Sequence, residues 1–229
     1  KAIGVEKAAI GIENNKADAI SLLEDKLKGE NKINVVPLKV KYPQGGEKQL
    51  VKAIVGHEIT YKHLPIDFGV VVVNVGTLYA IHEAVRKNIP LVKRVVTVTG
   101  KSLKEPKNLM VRIGTPVSKL IDFAGGIPED TSKIIGGGPM MGKALISAEA
   151  SVTKATSGIL LLSEKESHRK EVENCIRCGR CITVCAFGLE PYLLSRMVEK
   201  EMFEEAHNNH VLACCECGSC SYICPAGRP

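Results

Sequence analysis

The chain has 229 residues, 45% of them hydrophobic, and a formal charge of +6, enough for one large or two small domains with a sizeable core. Aromatic residues make up only 4%, and lysine and arginine are spread without a basic block, which argues against nucleic acid and mildly for an acidic partner or an anionic surface. No run of about 18 uncharged apolar residues offers a membrane span; the nearest, "FGVVVVNVGTLYAI", is broken by Asn74, Gly76 and Thr77.

The chain opens on Lys1, in "KAIGVEKAAIGIENN". That stretch reads as the middle of a βα unit without a charged-then-apolar leader, and predicts a piece of a longer cytosolic chain. Residues 8 to 12 read as a buried strand end. In "NNKADAISLLEDKLKG", Ile20, Leu23 and Leu27 fall at helical spacing, with an Asn start and Gly29 past the end. A strand, "INVVPLKV", a turn, "YPQGG", and a short helix, "EKQLVKAIVG", follow. "FGVVVV" is a continuous apolar run of the kind found in strands covered on both faces, and "GTLYAIHEAVRKN" has helical periodicity. Strands alternating with helices predict an α/β layer with a mostly parallel sheet.

From about residue 91 the pattern changes. "LVKRVVTVTG" and "NLMVRIG" flank the polar "KSLKEPK" and lead into "TPVSKLIDFAGG", which predicts a small hairpin-plus-helix domain of the β-grasp kind. "KIIGGGPMMGKAL" is rich in glycine but contains neither GxGxxG nor GxxxxGK[ST]. It reads first as a tight turn where backbones approach closely. A strand, "GILLLS", and a charged linker, "EKESHRKE", complete this part.

All nine cysteines lie after residue 174. A disulfide framework would distribute them, whereas clustering at fixed spacing calls for a metal. Cys175, Cys178, Cys181 and Cys185 form CxxCxxCxxxC, and Cys214, Cys217, Cys220 and Cys224 repeat it, leaving Cys215 spare. Two-residue gaps put three sulfurs around one loop so that they meet three irons of a cubane, as in bacterial ferredoxins. Two [4Fe-4S] clusters are therefore expected; zinc, which usually takes two CxxC pairs, is the lesser alternative. In two-cluster ferredoxins the fourth cysteine of each run serves the other cluster. One cluster then takes Cys175, Cys178, Cys181 and Cys224, and the other Cys214, Cys217, Cys220 and Cys185. Between the runs, Leu194, Met197, Val198, Met202, Phe203 and Ala206 are spaced as one amphipathic helix. His207 and His210 read as solvated residues near its end, and the methionines as core packing. Gly179 and Gly218 let backbone N–H groups approach cluster sulfur. Pro225 follows Cys224 as the ferredoxin pattern expects, while Ala186 stands where the first run would have its proline.

Taken in order, "LKVKYPQGGEKQL", "VVVVNVGT", "RVVTVTG", "VRIGT", "GGGPMMG", "CIRCGRC", "GLEPYLL" and "CCECGSCSYICPAGRP" resemble the C-subunit family of Rnf electron-transport complexes. The resemblance implies a peripheral subunit on the cytoplasmic face of the bacterial plasma membrane. It would exchange electrons with NAD(H) through FMN, within a complex that couples ferredoxin and NAD redox chemistry to ion translocation. Its implied partners are the membrane subunits and the ferredoxin-like B subunit. A glycine-rich flavin loop upstream of Lys1 is also implied, as is kinship of the first domain with the flavin subunit of respiratory complex I. That subunit's GAYxCGEETAL segment is similar to "VKYPQGGEKQL" at Tyr42, Gly45, Glu47 and Leu50, and its INNVETL segment to "VVNVGTL" at Asn74, Val75, Thr77 and Leu78. Gly46 replaces the first of the paired glutamates and Val73 the first of the paired asparagines.

The resemblance makes Tyr42, Gly45, Gly46, Glu47, Asn74 and Thr77 the expected flavin and nucleotide residues. On turn chemistry alone, "YPQGG" is an ordinary turn with Glu47 starting a helix. The expected architecture is α/β: residues 1–90 as the C-terminal part of a Rossmann-like complex I flavin-subunit domain, 91–147 as a β-grasp domain of SLBB type, 148–170 as strand and linker, and 171–229 as a helical two-cluster ferredoxin. Two rivals remain open, a flavin and iron–sulfur cobalamin reductase of a bacterial microcompartment and a zinc-bearing scaffold without redox chemistry.

Overall fold

The computed structural model describes residues 4–228; the opening Lys1 lies outside them. The chain divides into two compact units, Lys1–Val72 with Cys185–Cys214, and Val73–Val184 with Cys215–Pro229.

The first unit begins with β1 (Ala8–Glu13), α1 (Ala17–Lys26), β2 (Ile33–Leu38) and α2 (Glu47–Val55). β1 and β2 pair in parallel, from Ala8 opposite Ile33 to Glu13 opposite Leu38, so α1 is the crossover of a βαβ unit. α2 packs on this pair at Gly11, where an added Cβ would stand 2.9 Å from Leu50 Cδ1 and 3.0 Å from both Ile54 Cδ1 and Leu38 Cδ1. Leu38, Val51 and Ile59 are buried here. The start of β1 is not: Ala8 and Ala9 are exposed, because among the described residues this sheet has two strands and no second neighbour for β1. α1 is capped by Lys16 rather than Asn, without a side-chain cap bond.

The strand expected at "FGVVVV" does not form. After a 3-10 turn at Pro65–Phe68, residues 70–74 run without regular structure and pair with no described strand. An apolar run becomes a strand only where a ladder partner satisfies its backbone.

The second unit starts with α3 (Val75–Lys87), capped by Asn74, whose Oδ1 accepts from Gly76 N at 2.9 Å, and ended by Asn88 in the left-handed conformation. Next come β3 (Lys93–Thr99), β4 (Lys107–Arg112), α4 (Val117–Phe123), β5 (Thr131–Gly136), β6 (Lys143–Ala144), β7 (Gly158–Ser163) and a short α5 (Glu164–Ser167) inside the stretch expected as linker. The sheet runs β4-β3-β7-β5-β6. β3 is antiparallel to β4 and parallel to β7, and β5 is antiparallel to β7. The "GILLLS" strand therefore lies mid-sheet, past residue 147.

Alternation along β3 puts Val96 and Val98 inside while Val95 stays exposed. Leu120 and Ile121 of α4 and Ile159 and Leu161 of β7 complete one core with them. β5 and β6 form a hairpin whose tip is "GGPMMG": Gly137 sits at φ 117°, and a Cβ on Gly142 would meet Gly138 O and Ile135 Cγ2 at 2.4 Å. The glycines there are the close-approach turn expected from the sequence.

The cysteine region adds α6 (Arg180–Thr183), α7 (Pro191–Glu199), α8 (Phe203–Asn208) and α9 (Ser219–Ile223). The single amphipathic helix expected between the runs is two, α7 and α8. Glu201 adopts φ 57°, and Lys200 N and Met202 N both donate to Met197 O, at 3.1 and 2.9 Å, closing α7. Leu194 and Ala206 are buried, but Met202 and Phe203 are exposed, so the break turns part of the expected apolar stripe outward. His207 and His210 are exposed, as expected.

Candidate functional site

The two cysteine loops share a backbone path. In the first, Arg177 (φ 56°) and Gly179 (φ 72°) are left-handed and feed α6, whose first turn holds Cys181; in the second, Glu216 (φ 53°) and Gly218 (φ 77°) do the same for α9, which holds Cys220. Paired left-handed residues give each cysteine loop the same tight curl before its short helix. α6 and α9 lie in contact within the second unit.

Cys175, Cys178, Cys181 and Cys224 are free thiols of that unit. Cys224, the C-cap of α9, is carried to the first run by the backbone: Glu173 N donates to Ala226 O at 2.9 Å, pinning the segment before Cys175 to the one after Cys224. The approach is close, since a Cβ on Gly227 would meet Glu171 O at 2.5 Å. Among the described residues, no three His, Cys, Asp or Glu side chains converge as ligands of a single ion do. The spacing of the donors, three cysteines at two-residue gaps with a fourth beyond, is that of cubane ligands rather than of paired zinc CxxC motifs.

For the second set, Cys217 and Cys220 lie in the second unit and Cys185 and Cys214 in the first. Cys217 Sγ stands 3.4 Å from Ser219 Oγ, and Leu189 N donates to Cys185 Sγ at 3.3 Å. Both are contacts of the kind that orient a metal-binding thiolate. Cys214 caps the 3-10 turn Val211–Ala213.

The expected flavin residues also fall in both units, Tyr42, Gly45, Gly46 and Glu47 in the first and Asn74 and Thr77 in the second. "YPQGG" is a tight turn in which Gly46 N donates to Pro43 O at 2.8 Å and Gly46 caps α2, leaving Glu47 in its first turn. Among the described residues, nothing lies within 4 Å of a Cβ position on Gly45, so that backbone is open to a ligand. Gln49 joins these residues although no motif in the sequence marks it. Its Nε2 is buried without a hydrogen-bond partner in the described structure, and its Oε1 would lie 2.3 Å from a Cβ on Gly46. An orphaned buried amide beside an open glycine turn at a helix start suits an anionic, hydrogen-bonding cofactor. Asn74 and Thr77 are exposed at the start of α3, and Asn74 Oδ1 is used as a cap.

Comparison with known proteins separates the chain into three stretches. Residues 1–83 match the Nuo51 FMN-binding domain, 95–144 the SLBB domain and 167–225 the 4Fe-4S dicluster domain. The chain is 47% identical over 205 residues to the C subunit of the proton-translocating ferredoxin:NAD(+) oxidoreductase complex of Clostridium ljungdahlii, an alignment covering 90% of this chain and 45% of that protein. It is 44% identical over 205 residues to the Na(+)-translocating counterpart of Acetobacterium woodii, covering 90% and 46%. The chain belongs to the C-subunit family of ion-translocating ferredoxin:NAD oxidoreductase complexes. Another member, from the ion-translocating oxidoreductase complex of Rhodobacter capsulatus, is 43% identical over 201 residues, 86% of this chain and 38% of the relative. The chain thus spans less than half the length of these relatives. Its matched domains are an FMN-binding domain at one end and a 4Fe-4S dicluster domain at the other, and none of its described helices is long and apolar enough to cross a membrane.

Proposed function

We propose that the chain forms part of a subunit that passes electrons between NAD(H) and ferredoxin-level carriers in an ion-translocating membrane complex. Two electrons and a proton are exchanged with the nicotinamide, and the electrons move on singly to the one-electron carriers of the complex. Bound FMN supplies the change from two-electron to one-electron chemistry, and the clusters supply one-electron storage. Cys175, Cys178, Cys181 and Cys224 hold one cluster, and Cys214, Cys217, Cys220 and Cys185 the other. The Gly45–Gly46 backbone and the Gln49 amide bind the flavin side, with Tyr42 at its edge. Glu47 orients nicotinamide or ribose hydroxyls, and Asn74 and Thr77 complete the nucleotide side from the start of α3. The protein's own part is position and potential.

The subunit sits at the cytoplasmic face of the membrane, against the membrane subunits and the ferredoxin-like B subunit of the complex. The +6 charge suits that anionic surface. The observation that supports the reading is the hydrogen bond from Glu173 N to Ala226 O, which ties the segment before Cys175 to the one after Cys224.

The test uses the full-length protein in its complex, purified without oxygen. Glu47→Ala is expected to retain FMN and about eight irons, two cubanes of four. NADH oxidation is expected to fall about tenfold, the loss of one charge-assisted hydrogen bond of ~1.5–3 kcal/mol. Unchanged NADH kinetics remove Glu47 from the site, and stoichiometric zinc in place of iron refutes the relay.

A further inference from the structure

The two cysteine loops are alike in backbone but not in cover. Gly179 and Gly218 hold equivalent places, at φ 72° and φ 77°. Among the described residues, nothing lies within 4 Å of a Cβ position on Gly179, whereas at Gly218 Met140 O lies at 3.5 Å and Met140 Cε at 3.7 Å. Met140 is the half-buried residue at the tip of the β5–β6 hairpin, and Met141 beside it is exposed. The hairpin is rigid where it matters, because Gly137 and Gly142 let its two arms close to backbone contact and fix the direction of the tip. Met140 thus lays a polarizable apolar side chain over the loop that carries Cys217 and Cys220. Among the described residues, the Cβ position of Gly179 in the corresponding turn has no such neighbour.

We propose that Met140 is a positioning residue for the second iron–sulfur site, on the Cys217–Cys220 loop: it shields that loop's cluster from water and holds its potential below the value that open solvent access would give. This rests on the proposed cluster ligation. Reduction adds one electron and no proton to a cubane, so the reduced form carries one more negative charge inside the same four thiolates. Water stabilises the added charge and an apolar cover withholds that stabilisation, so solvent access is one of the levers on cluster potential. The Cys217–Ser219 contact acts in the opposite direction. It is short-range and survives truncation of Met140, so the variant isolates the cover.

The experiment is an EPR-monitored reductive titration with dithionite of the full-length complex, with the wave of the second site marked by Cys220→Ser. In the wild type two cluster waves are expected. Met140→Ala should raise the potential of the second site and leave the first site's potential unmoved, with iron content still about eight per protein. Met140→Leu should restore it. Should Met140→Ala lose iron, Met140→Gln, of similar length but polar, replaces it and should move the same wave in the same direction. Full iron with both potentials unchanged overturns the inference, as does a shift in the first site alone. A wild type without two clusters overturns instead the ligation on which it rests.

Discussion

At the scale of single residues, the spare cysteine is the sharpest test. Cys214, not Cys215, keeps the three-residue step to Cys217 and Cys220, and Cys215 is an exposed residue of the loop. Cys215→Ser is therefore expected to leave iron content and cluster EPR near wild type, while Cys217→Ser loses the second site. Cys224→Ser should disturb the signal of the cluster bound by Cys175, Cys178 and Cys181, since Cys224 is held beside that run by the Glu173–Ala226 hydrogen bond. A spectrum in which Cys224→Ser perturbs only the neighbouring run's cluster refutes the crossed ligation. A two-cluster domain was legible in the sequence because a cubane dictates ligand spacing locally. Gln49 was not legible. Its value lies in being buried without a partner next to Gly46, a juxtaposition made by the turn. It also accounts for Gly46 where the flavin subunit of complex I has a glutamate, since a longer residue there would contend with the Gln49 amide and with Pro43 O, 3.1 Å from the Cβ position.

At the scale of elements, periodicity located helices and strands well where the element's own core is present, and failed where it is not. β3, β4 and α4 stand where the spacing put them, because Val96, Val98, Leu120 and Ile121 all turn to one core. "FGVVVV" has the composition of a buried strand, but composition does not supply a ladder partner. The stripe from Leu194 to Ala206 has helical period throughout, yet the left-handed turn at Glu201 divides it, and periodicity carries no record of one residue's φ. Close packing of the sheet is likewise invisible in sequence. Gly100, just past β3, approaches β7 so nearly that a Cβ would stand 2.6 Å from Leu161 O and 3.2 Å from Leu161 Cβ. Leu161 is buried in a strand with neighbours on both sides and has no room to yield. Gly100→Ala is expected to cost about 1–3 kcal/mol and lower the melting temperature by several degrees. Gly138→Ala, at a position with nothing within 4 Å, should stay within about 0.5 kcal/mol. Equal melting curves for the two variants by calorimetry refute the close approach.

At the scale of the whole molecule, stability is unevenly supplied. The β-grasp sheet has a core of its own, with eleven buried apolar residues from Val96 to Leu161 packed together. Among its described hydrophobic residues the cysteine region has Leu189, Leu194, Ala206 and Ala226 buried, and its helices run from four to nine residues. Helices of that length are not stable alone in water, and so small a core does not offset chain entropy. Thiolate–iron bonds must supply the difference, since ligation free energy is folding free energy where the empty site is not preformed. Removing iron with a chelator under reducing conditions should therefore act in one place. Hydrogen exchange across residues 171–228 is expected to accelerate to near that of unfolded chain, while amides of β3, β5 and β7 keep their protection. The fall in helical circular dichroism should be confined to the contribution of α6 to α9, and iron with sulfide should restore it. If protection in 171–228 survives complete loss of iron, the clusters are passengers in a self-sufficient helical fold. If β3 and β7 lose protection with them, the sheet and the cysteine region unfold as one cooperative unit, and the contact of Met140 with the second loop is then part of what joins them.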